Sequence, residues 1–182
     1  MPNYRRARTA GGTFFFTVVT QYRRPWLCTP LARAALRRSI HTVRVRYPFR
    51  IDAWVLLPDH MHCIWTLPKD DSDYAGRWRL IKMLTAKRLT AMPATRAAMR
   101  SRAARRERAL WQRRFWEHRI RDARDMAAHM DYIHYNPVKH ELCPAPADWA
   151  YSSFHRYVRN GTYERDWAAD VEPPLPDHVG KE

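Results

Sequence analysis

Two histidines separated by one residue are the first side chains in this 182-residue chain that could perform chemistry. His60 and His62 lie in the segment 57–67, whose apolar and β-branched residues are typical of a β-strand. Residues two apart on a strand share a face, so the two imidazoles point the same way. The opposite face is apolar and is expected to meet a core: Met61, Cys63, Trp65 and Leu67. Two adjacent imidazoles can bind one metal ion, and the alternative is a strand with two surface histidines.

A second group of polar side chains comes about seventy residues later, in the segment 131–138. Tyr132 and Asn136 are four residues apart, so a helix would place them on one face, one turn apart. If that helix packs over the histidine face, Asn136 completes a metal site with His60 and His62, and Tyr132 lies beside the metal. Two imidazoles and one amide leave coordination positions on the ion open. A phosphate oxygen that binds at such a position is polarised by the ion. A phenol, with a pKa of about 10, needs a nearby cation and an activated substrate to act as the nucleophile.

Other polar residues near these segments compete for the same roles. Tyr135 lies about 100° round the helix from Asn136, so Tyr132 is the preferred nucleophile. His129 and Asp125 share the face of Tyr132 and could either tune the nucleophile or form a pair on the helix surface. Three further histidines are assigned other roles, a packed core position for His118 and structural or DNA-backbone contacts for His134 and His140.

The elements that must position these residues follow from periodicity and from helix-capping signals. Strands are predicted at 13–20, 51–57, 57–67 and 115–121, with Pro58-Asp59 as a hairpin turn. Helices are predicted at 30–46, after the acids at 70–73, and from Asp122 to the residue before Pro137. This order predicts an α+β fold, a ferredoxin-like (split βαβ, RRM-like) antiparallel sheet with helices on one face. The extra C-terminal helix, which carries Tyr132, is expected on the other face.

The chain is expected to form a single domain over residues 1–171. Within it, the arginine-rich stretch 93–114 is either a second helical segment or a mobile basic lobe, and residues 172–182 are expected to be disordered. The three cysteines lack paired or metal-type spacing, and the N-terminus lacks the apolar run of a signal peptide. The sequence therefore favours a cytoplasmic protein.

The net charge indicates a polyanionic partner. The chain has 33 Lys and Arg against 18 Asp and Glu, for a formal net charge of +15, and residues 1–51 contain eleven arginines but no acid. Nucleic acid is the usual partner of such segments, whereas a solvated basic surface and an anionic membrane are the alternatives. No lipidation motif or apolar run of about 18 residues supports a membrane. The side chains predicted to contact DNA are Arg5, Arg6, Arg8, Arg23, Arg24, Lys82, Arg102, Arg105, Arg106, Arg113 and Arg114.

The motifs together resemble the HUH single-strand DNA nucleases, in which two histidines flank one hydrophobic residue on a strand. The closer resemblance, over roughly residues 4–170, is to the REP-associated tyrosine transposases, where REP denotes a repeated extragenic palindrome. The residues that carry it are Gly11-Gly12 with the aromatic strand after it, and the segments 54–62, 115–118, 131–140 and 149–157.

The resemblance implies a divalent metal, Mg²⁺ or Mn²⁺, held by His60, His62 and Asn136. It also implies a 5′-phosphotyrosine intermediate on Tyr132, palindromic single-stranded DNA folded as hairpins as the substrate, and a place near the bacterial nucleoid. The chain departs from the family pattern at the long arginine-rich stretch and at Glu141, where a glycine is common. Two other functions remain open, a non-catalytic hairpin DNA- or RNA-binding module and a nickase of the replication-initiator or relaxase type.

Overall fold

The computed structural model of the protein describes residues 9–90 and 110–176. These residues form four strands and four α-helices: β1 (Thr13–Val19), α1 (Pro30–Arg46), β2 (Arg50–Leu56), β3 (His60–Thr66), α2 (Tyr74–Thr90), β4 (Trp116–Arg119), α3 (Ala123–Lys139) and α4 (Phe154–Arg159). Six of the side chains predicted to contact DNA lie outside the described residues, namely Arg5, Arg6, Arg8, Arg102, Arg105 and Arg106, as do most of the stretch 93–114 and residues 177–182.

The four strands form one antiparallel sheet in the order β2-β3-β1-β4. The helix α1 connects β1 to β2, and β3 lies between these two strands, which is the split βαβ arrangement. A short turn at 57–59 joins β2 to β3, and the backbone N–H of Leu57 donates to the carbonyl of His60 at 2.9 Å. The predicted α+β fold and the predicted hairpin are therefore confirmed.

Helices α1 and α2 cover the face of the sheet that carries Met61, Cys63 and Trp65. The helix α1 begins where the sequence predicts, because the Thr29 side chain accepts a hydrogen bond from the N–H of Ala32 at 3.3 Å and Pro30 follows the cap. Stacked indoles join sheet to helix, with 4.1 Å between the ring centroids of Trp65 and Trp78. This core packs against one face of β3, so His60 and His62 lie on the opposite face of the sheet.

Helix α3 covers that second face, where Phe15, Val55 and Ile64 pack with Tyr132 and Ile133. The side chain of Asp122 caps α3 as predicted, accepting a hydrogen bond from the N–H of Asp125 at 2.8 Å.

The predicted end of α3 before Pro137 is wrong, because the helix continues through this proline to Lys139. A proline this close to the C-terminus of a helix removes one backbone hydrogen bond, and the sequence prediction overestimated its effect. The strand β4 is also shorter than predicted, since it runs only from Trp116 to Arg119.

The segment after α3 returns along β2. The N–H of Leu56 donates to the carbonyl of Tyr151 at 2.9 Å, and the N–H of Ser153 donates to the carbonyl of Trp54 at 2.8 Å. Farther along the chain, Leu175 packs against the cluster under α3. The domain boundary at 171 remains a prediction.

Candidate active site

His60 and His62 lie at the start of β3 and are almost fully buried, with 2% and 0% of their surface exposed. Each ring has a hydrogen-bond partner at Nδ1: the Asp59 carboxylate lies 2.6 Å from Nδ1 of His60, and the Thr17 hydroxyl lies 2.9 Å from Nδ1 of His62. These contacts fix the orientation of the rings, as the outer partners of metal-binding histidines do. Nε2 is then the nitrogen through which either ring would bind a metal.

The charge states at this pair suit metal binding. Burial lowers the pKa of His62 well below its ordinary value, and the positive charges that His60, His140, Lys139 and Arg23 can carry add to the effect. His62 is therefore neutral at physiological pH, which is the form that binds metal.

The carboxyl behind His60 is ionised. Burial acts to raise the pKa of Asp59, but hydrogen bonds and charge interactions with His60 and Arg23 outweigh it and lower this pKa. An ionised carboxylate at Nδ1 raises the basicity of the ring and so strengthens it as a metal ligand.

Three residues of α3 line up along the histidine pair. The ring of Tyr132 lies 5.2 Å from that of His62, and the ring of His140, the C-cap of α3, lies 5.0 Å from that of His60, measured between centroids. Asn136 is four residues from each of these two contacts and on the same side of the helix. The side chain of Asn136 therefore leaves the helix on the same face, between those of Tyr132 and His140.

The amide of Asn136 is the clearest sign that this site receives a ligand. The residue is 0% exposed, and within the described residues neither its oxygen nor its nitrogen makes a hydrogen bond. A buried polar group without a partner costs about 1–3 kcal/mol, so a folded protein retains one where function requires it. An amide oxygen and two imidazoles form a donor set that fits a divalent cation, and the residues predicted from the sequence thus fit a metal.

Tyr132 is enclosed by aromatic rings and one cation. It is 3% exposed, its ring centroid lies 5.9 Å from that of Phe15, and the ammonium of Lys139 lies 5.0 Å from the ring centroid. Lys139 therefore supplies a cation next to this phenol. Tyr135 is only partly buried, and burial together with the negative charge of Glu172 raises its pKa, which disfavours the phenolate.

A second cluster of metal-type residues lies on the same face of the sheet. The ligand atoms of His118, Asp125 and His129 lie within 4.8 Å of one another. The carboxylate of Asp125 also accepts hydrogen bonds from the backbone N–H and the guanidinium of Arg121, at 2.9 and 3.2 Å. Burial acts to raise the pKa of Asp125, but hydrogen bonds from His118 and Arg121 lower it to about 2. The cluster could hold a cation, and its present contacts also anchor the start of α3 to β4.

The described basic residues that were predicted to contact DNA have different surroundings. Arg113 and Arg114 are exposed, as is Arg24. Arg23 donates to the carboxylate of Asp59 at 3.1 Å and so lies next to the histidine pair. The ammonium of Lys82 donates to the carbonyl of Gln112 at 3.0 Å. Contact of these five residues with DNA remains a prediction.

Sequence reasoning missed several residues of the site. His140 was assigned away from the face of Tyr132 and Asn136, but it packs against His60, because the helix continues to residue 139 and its last turn reaches the sheet. Asp59 and Lys139 lie inside the recognised motifs and could have been found from their charge. Thr17 has no sequence signal of its own, since only the register of β1 and β3 places it opposite His62.

The predictions for His134 and His118 have different outcomes. His134 is structural, as one of its two predicted roles stated, because it is buried and its Nε2 lies 2.9 Å from the hydroxyl of Ser153. The packed core position of His118 is wrong, because His118 is only partly buried and its Nε2 lies 2.9 Å from the carboxylate of Asp125.

Comparison with known proteins shows the family of the chain. Residues 12–136 match the family described as "Transposase IS200 like". A REP-associated tyrosine transposase of Escherichia coli K12 is 46% identical over 171 residues, which cover 94% of this chain and 93% of the relative. The chain belongs to the REP-associated tyrosine transposases.

Two further relatives support the same membership. A protein of Haemophilus influenzae, named a putative REP-associated tyrosine transposase, is 42% identical over 172 residues, which cover 94% of this chain and 96% of that protein. A solved structure described as a REP-associated tyrosine transposase bound to a REP hairpin matches with a TM-score of 0.77 and 41% identity, and the match covers 98% of this chain and 99% of that one. Tyrosine transposases are enzymes that cleave DNA.

Within residues 9–90 and 110–176, no helix has the length and apolarity to cross a membrane.

Proposed function

We propose that this tyrosine transposase cleaves and rejoins single strands of hairpin-forming REP-type DNA, with Tyr132 as the nucleophile. The main support is that Tyr132, Asn136 and His140, spaced four residues apart, lie on the helix face that packs against the buried pair His60 and His62. The matching solved structure of a relative, which is bound to a REP hairpin, supports the choice of substrate. A binding module would have no use for a buried phenol and an unsatisfied amide next to paired imidazoles.

The proposed reaction is a transesterification. The Tyr132 oxygen attacks a backbone phosphorus, a Tyr–O–P bond forms, and the bond from phosphorus to the 3′ oxygen breaks. The strand that departs ends in a 3′ hydroxyl, which takes up a proton, and the 5′ phosphate stays on the protein. Because the new ester conserves the energy of the old bond, a 3′ hydroxyl can attack the phosphotyrosine and rejoin a strand.

The chain's own residues prepare this step in three ways. Thr17 and Asp59 hold the imidazoles in place, and His60, His62 and Asn136 would hold Mg²⁺ or Mn²⁺. When bound there, a divalent cation would polarise a phosphate oxygen and stabilise charge in the transition state. The ammonium of Lys139 lies 5.0 Å from the ring centroid of Tyr132, so a positive charge lies next to the proposed nucleophile.

Exchange of Tyr132 for phenylalanine tests the proposal most directly. Tyr132→Phe removes one oxygen and little volume, so folding and hairpin binding should survive, whereas cleavage and the covalent adduct should both vanish. The substrate is a hairpin oligonucleotide labelled on either side of the cleavage point, incubated with Mn²⁺ or Mg²⁺ and run on a denaturing gel. Only the fragment on the 3′ side of the cleavage point should label the protein.

Tyr135→Phe is the matched control, since it makes the same change three residues away, outside the site. It should retain both cleavage and adduct, and a chelator should abolish them in the wild-type protein. Cleavage that persists in Tyr132→Phe without an adduct would show that water is the nucleophile. Wild-type protein that binds the hairpin but never cleaves it would support the binding-module alternative.

A further inference from the structure

A basic groove lies between α1 and the outer edge of β2, away from the candidate active site. Its volume is about 700 Å³, and its walls are α1 and the segment 150–156. Ile51, Trp54 and Leu56 of β2 form the floor. These residues belong to the side of the sheet that faces α1, whereas the histidine pair lies on the other side.

The walls of the groove carry positive charge from both sides. Arg33, Arg37, His41 and Arg44 recur at helical spacing on one face of α1, and three of them, Arg37, His41 and Arg44, are exposed. The other basic lining residues are Arg50 and Arg156, of which Arg50 is paired with the Asp52 carboxylate at 2.6 Å; the lining residues within the described part of the chain include no acid. The stripe on α1 extends over twelve residues, which corresponds to about 16 Å of helix. Such a row of basic side chains, three of them guanidinium groups, matches a series of phosphates.

Aromatic side chains lie between these charges. Trp54 and Tyr151 are both partly buried and both line the groove, so part of each ring faces its interior. The guanidinium carbon of Arg33 lies 4.3 Å from the ring centroid of Tyr151, and Nε of Arg33 is buried without a hydrogen-bond partner among the described residues. A guanidinium that stacks on an aromatic ring and keeps one N–H donor unused can bind a phosphate, while a base stacks beside it.

We infer that this groove binds a single-stranded DNA segment that flanks the hairpin. A basic groove that follows the backbone, with aromatic rings on which bases stack, is the general design of single-strand binding sites. A duplex is a poorer fit, because its bases are paired inside the helix and cannot reach rings on the floor of a groove. The inference rests on the proposed function, since it concerns the same DNA substrate.

The end of β2 links the groove to the candidate active site along the chain. Leu56 lines the groove, and its carbonyl accepts a hydrogen bond from the indole N–H of Trp149 at 2.9 Å. The next residue, Leu57, donates to the carbonyl of His60. A DNA strand that leaves the groove at this end and passes round the edge of the sheet would approach the histidine pair, so the groove would hold a part of the substrate on one side of the reacting phosphate.

Paired substitutions on α1 test the inference. Arg33→Gln with Arg37→Gln removes two groove cations, and the control is Arg38→Gln with Arg46→Gln, which makes the same change of charge outside the groove. Binding is measured by fluorescence anisotropy with two probes, a hairpin with a single-stranded flank and the same hairpin with blunt ends. For the flanked hairpin, the groove variant should lose about tenfold in affinity at 0.15 M salt, and its salt slope should fall by about 1.4, as two lost single-strand contacts predict.

For the blunt hairpin, the groove variant should bind like the wild type, and the control variant should bind both probes like the wild type. Equal losses for both probes would assign the groove to the hairpin stem and overturn the inference, as would an unchanged affinity for the flanked probe. Arg37→Gln with His41→Gln, two exposed positions, replaces the first pair if that pair does not fold. Anisotropy needs no cleavage, so a wild-type protein that binds both probes without cleaving them would contradict the proposed function alone.

Discussion

Thr17 and Asp59 decide how the two imidazoles of the candidate metal centre point. A histidine side chain can rotate about two bonds, and each hydrogen bond at Nδ1 removes that freedom before any ion arrives. Thr17 comes from the neighbouring strand, whereas Asp59 comes from the turn that precedes β3. The two rings are therefore held by different parts of the sheet, and the centre forms only when β1 and β3 are in register.

Another buried histidine, His134, should make stability depend on pH. Burial and the charge of Arg156 lower its pKa from 6.5 to about 3, so the unfolded chain binds the proton more readily than the folded one. The stability contributed by the neutral ring is complete above pH 6.5 and is lost as the pH falls from there toward 3. Between pH 7 and pH 5 the loss should be about 2 kcal/mol.

Chemical denaturation at the two pH values measures this effect. His134→Gln keeps a nitrogen that can donate toward Ser153 but cannot titrate, so the variant should lose about 2 kcal/mol less than the wild type over this interval. The control is His41→Gln, which makes the same exchange at an exposed ring. A variant at His134 with the same pH dependence as the wild type would contradict the assignment.

The residues of the candidate site were predictable where a spacing within one element defines them. His60 with His62 follows period two on a strand, and Tyr132 with Asn136 follows one turn of a helix. Contacts between elements were not predictable in this way. The partner of His62 depends on strand register, and the approach of His140 to His60 depends on where α3 ends.

At the scale of elements, the C-terminus of α3 contains a residue in a backbone conformation that favours glycine. Glu141 has φ of 56°, in the left-handed region, and its N–H donates to the carbonyl of Val138 at 2.8 Å. The N–H of Leu142 donates to the carbonyl of Pro137 at 2.9 Å, which completes a Schellman motif. A side chain in this conformation costs about 1 kcal/mol.

Glu141→Gly should therefore stabilise the protein by about 1 kcal/mol. Denaturant titration with far-UV circular dichroism measures the change in the free energy of unfolding. Glu141→Ala is the control, since it removes the same carboxylate but keeps the Cβ atom, and it should give little or no gain. Equal stabilisation by glycine and alanine would show that charge, and not backbone conformation, is the cause.

The elements themselves were largely predictable, because local capping and periodicity define them. Thr29-Pro30 and Asp122 mark the starts of α1 and α3, and both act as caps in the structure. The limits of β4 and the end of α3 were not predictable, because pairing with β1 and packing on the sheet determine them. Pro137 predicts the end of the helix from local sequence alone, whereas in the structure the helix continues past it.

At the scale of the whole molecule, the charge of +15 gives DNA binding a strong dependence on salt. Arg102, Arg105, Arg106 and Arg108 belong to the stretch 93–114 and lie outside the described residues. We predict that they contact phosphates and not bases. Their exchange for Gln should weaken hairpin binding and lower the slope of log K against log salt by about 0.7 per lost contact, or about 2.8 in all.

Binding measured at several salt concentrations, with the cognate hairpin and a hairpin of scrambled sequence, checks this prediction. The ratio of the two affinities should stay constant, because phosphate contacts do not read sequence. An unchanged slope would show that this stretch is a solvated lobe. A change in the ratio of affinities would show that these arginines read bases.

The bridge between Val55 and Ser152 also bears on how copies of this protein behave in a crowded cell. An exposed edge strand offers unpaired backbone groups on which a second chain can extend the sheet, which is a common route to aggregation. Segment 151–153 occupies that position along β2, and the opposite edge, β4, is only four residues long and ends in the exposed Arg119. Sheet growth from one molecule to the next is thereby blocked on one side and restricted on the other.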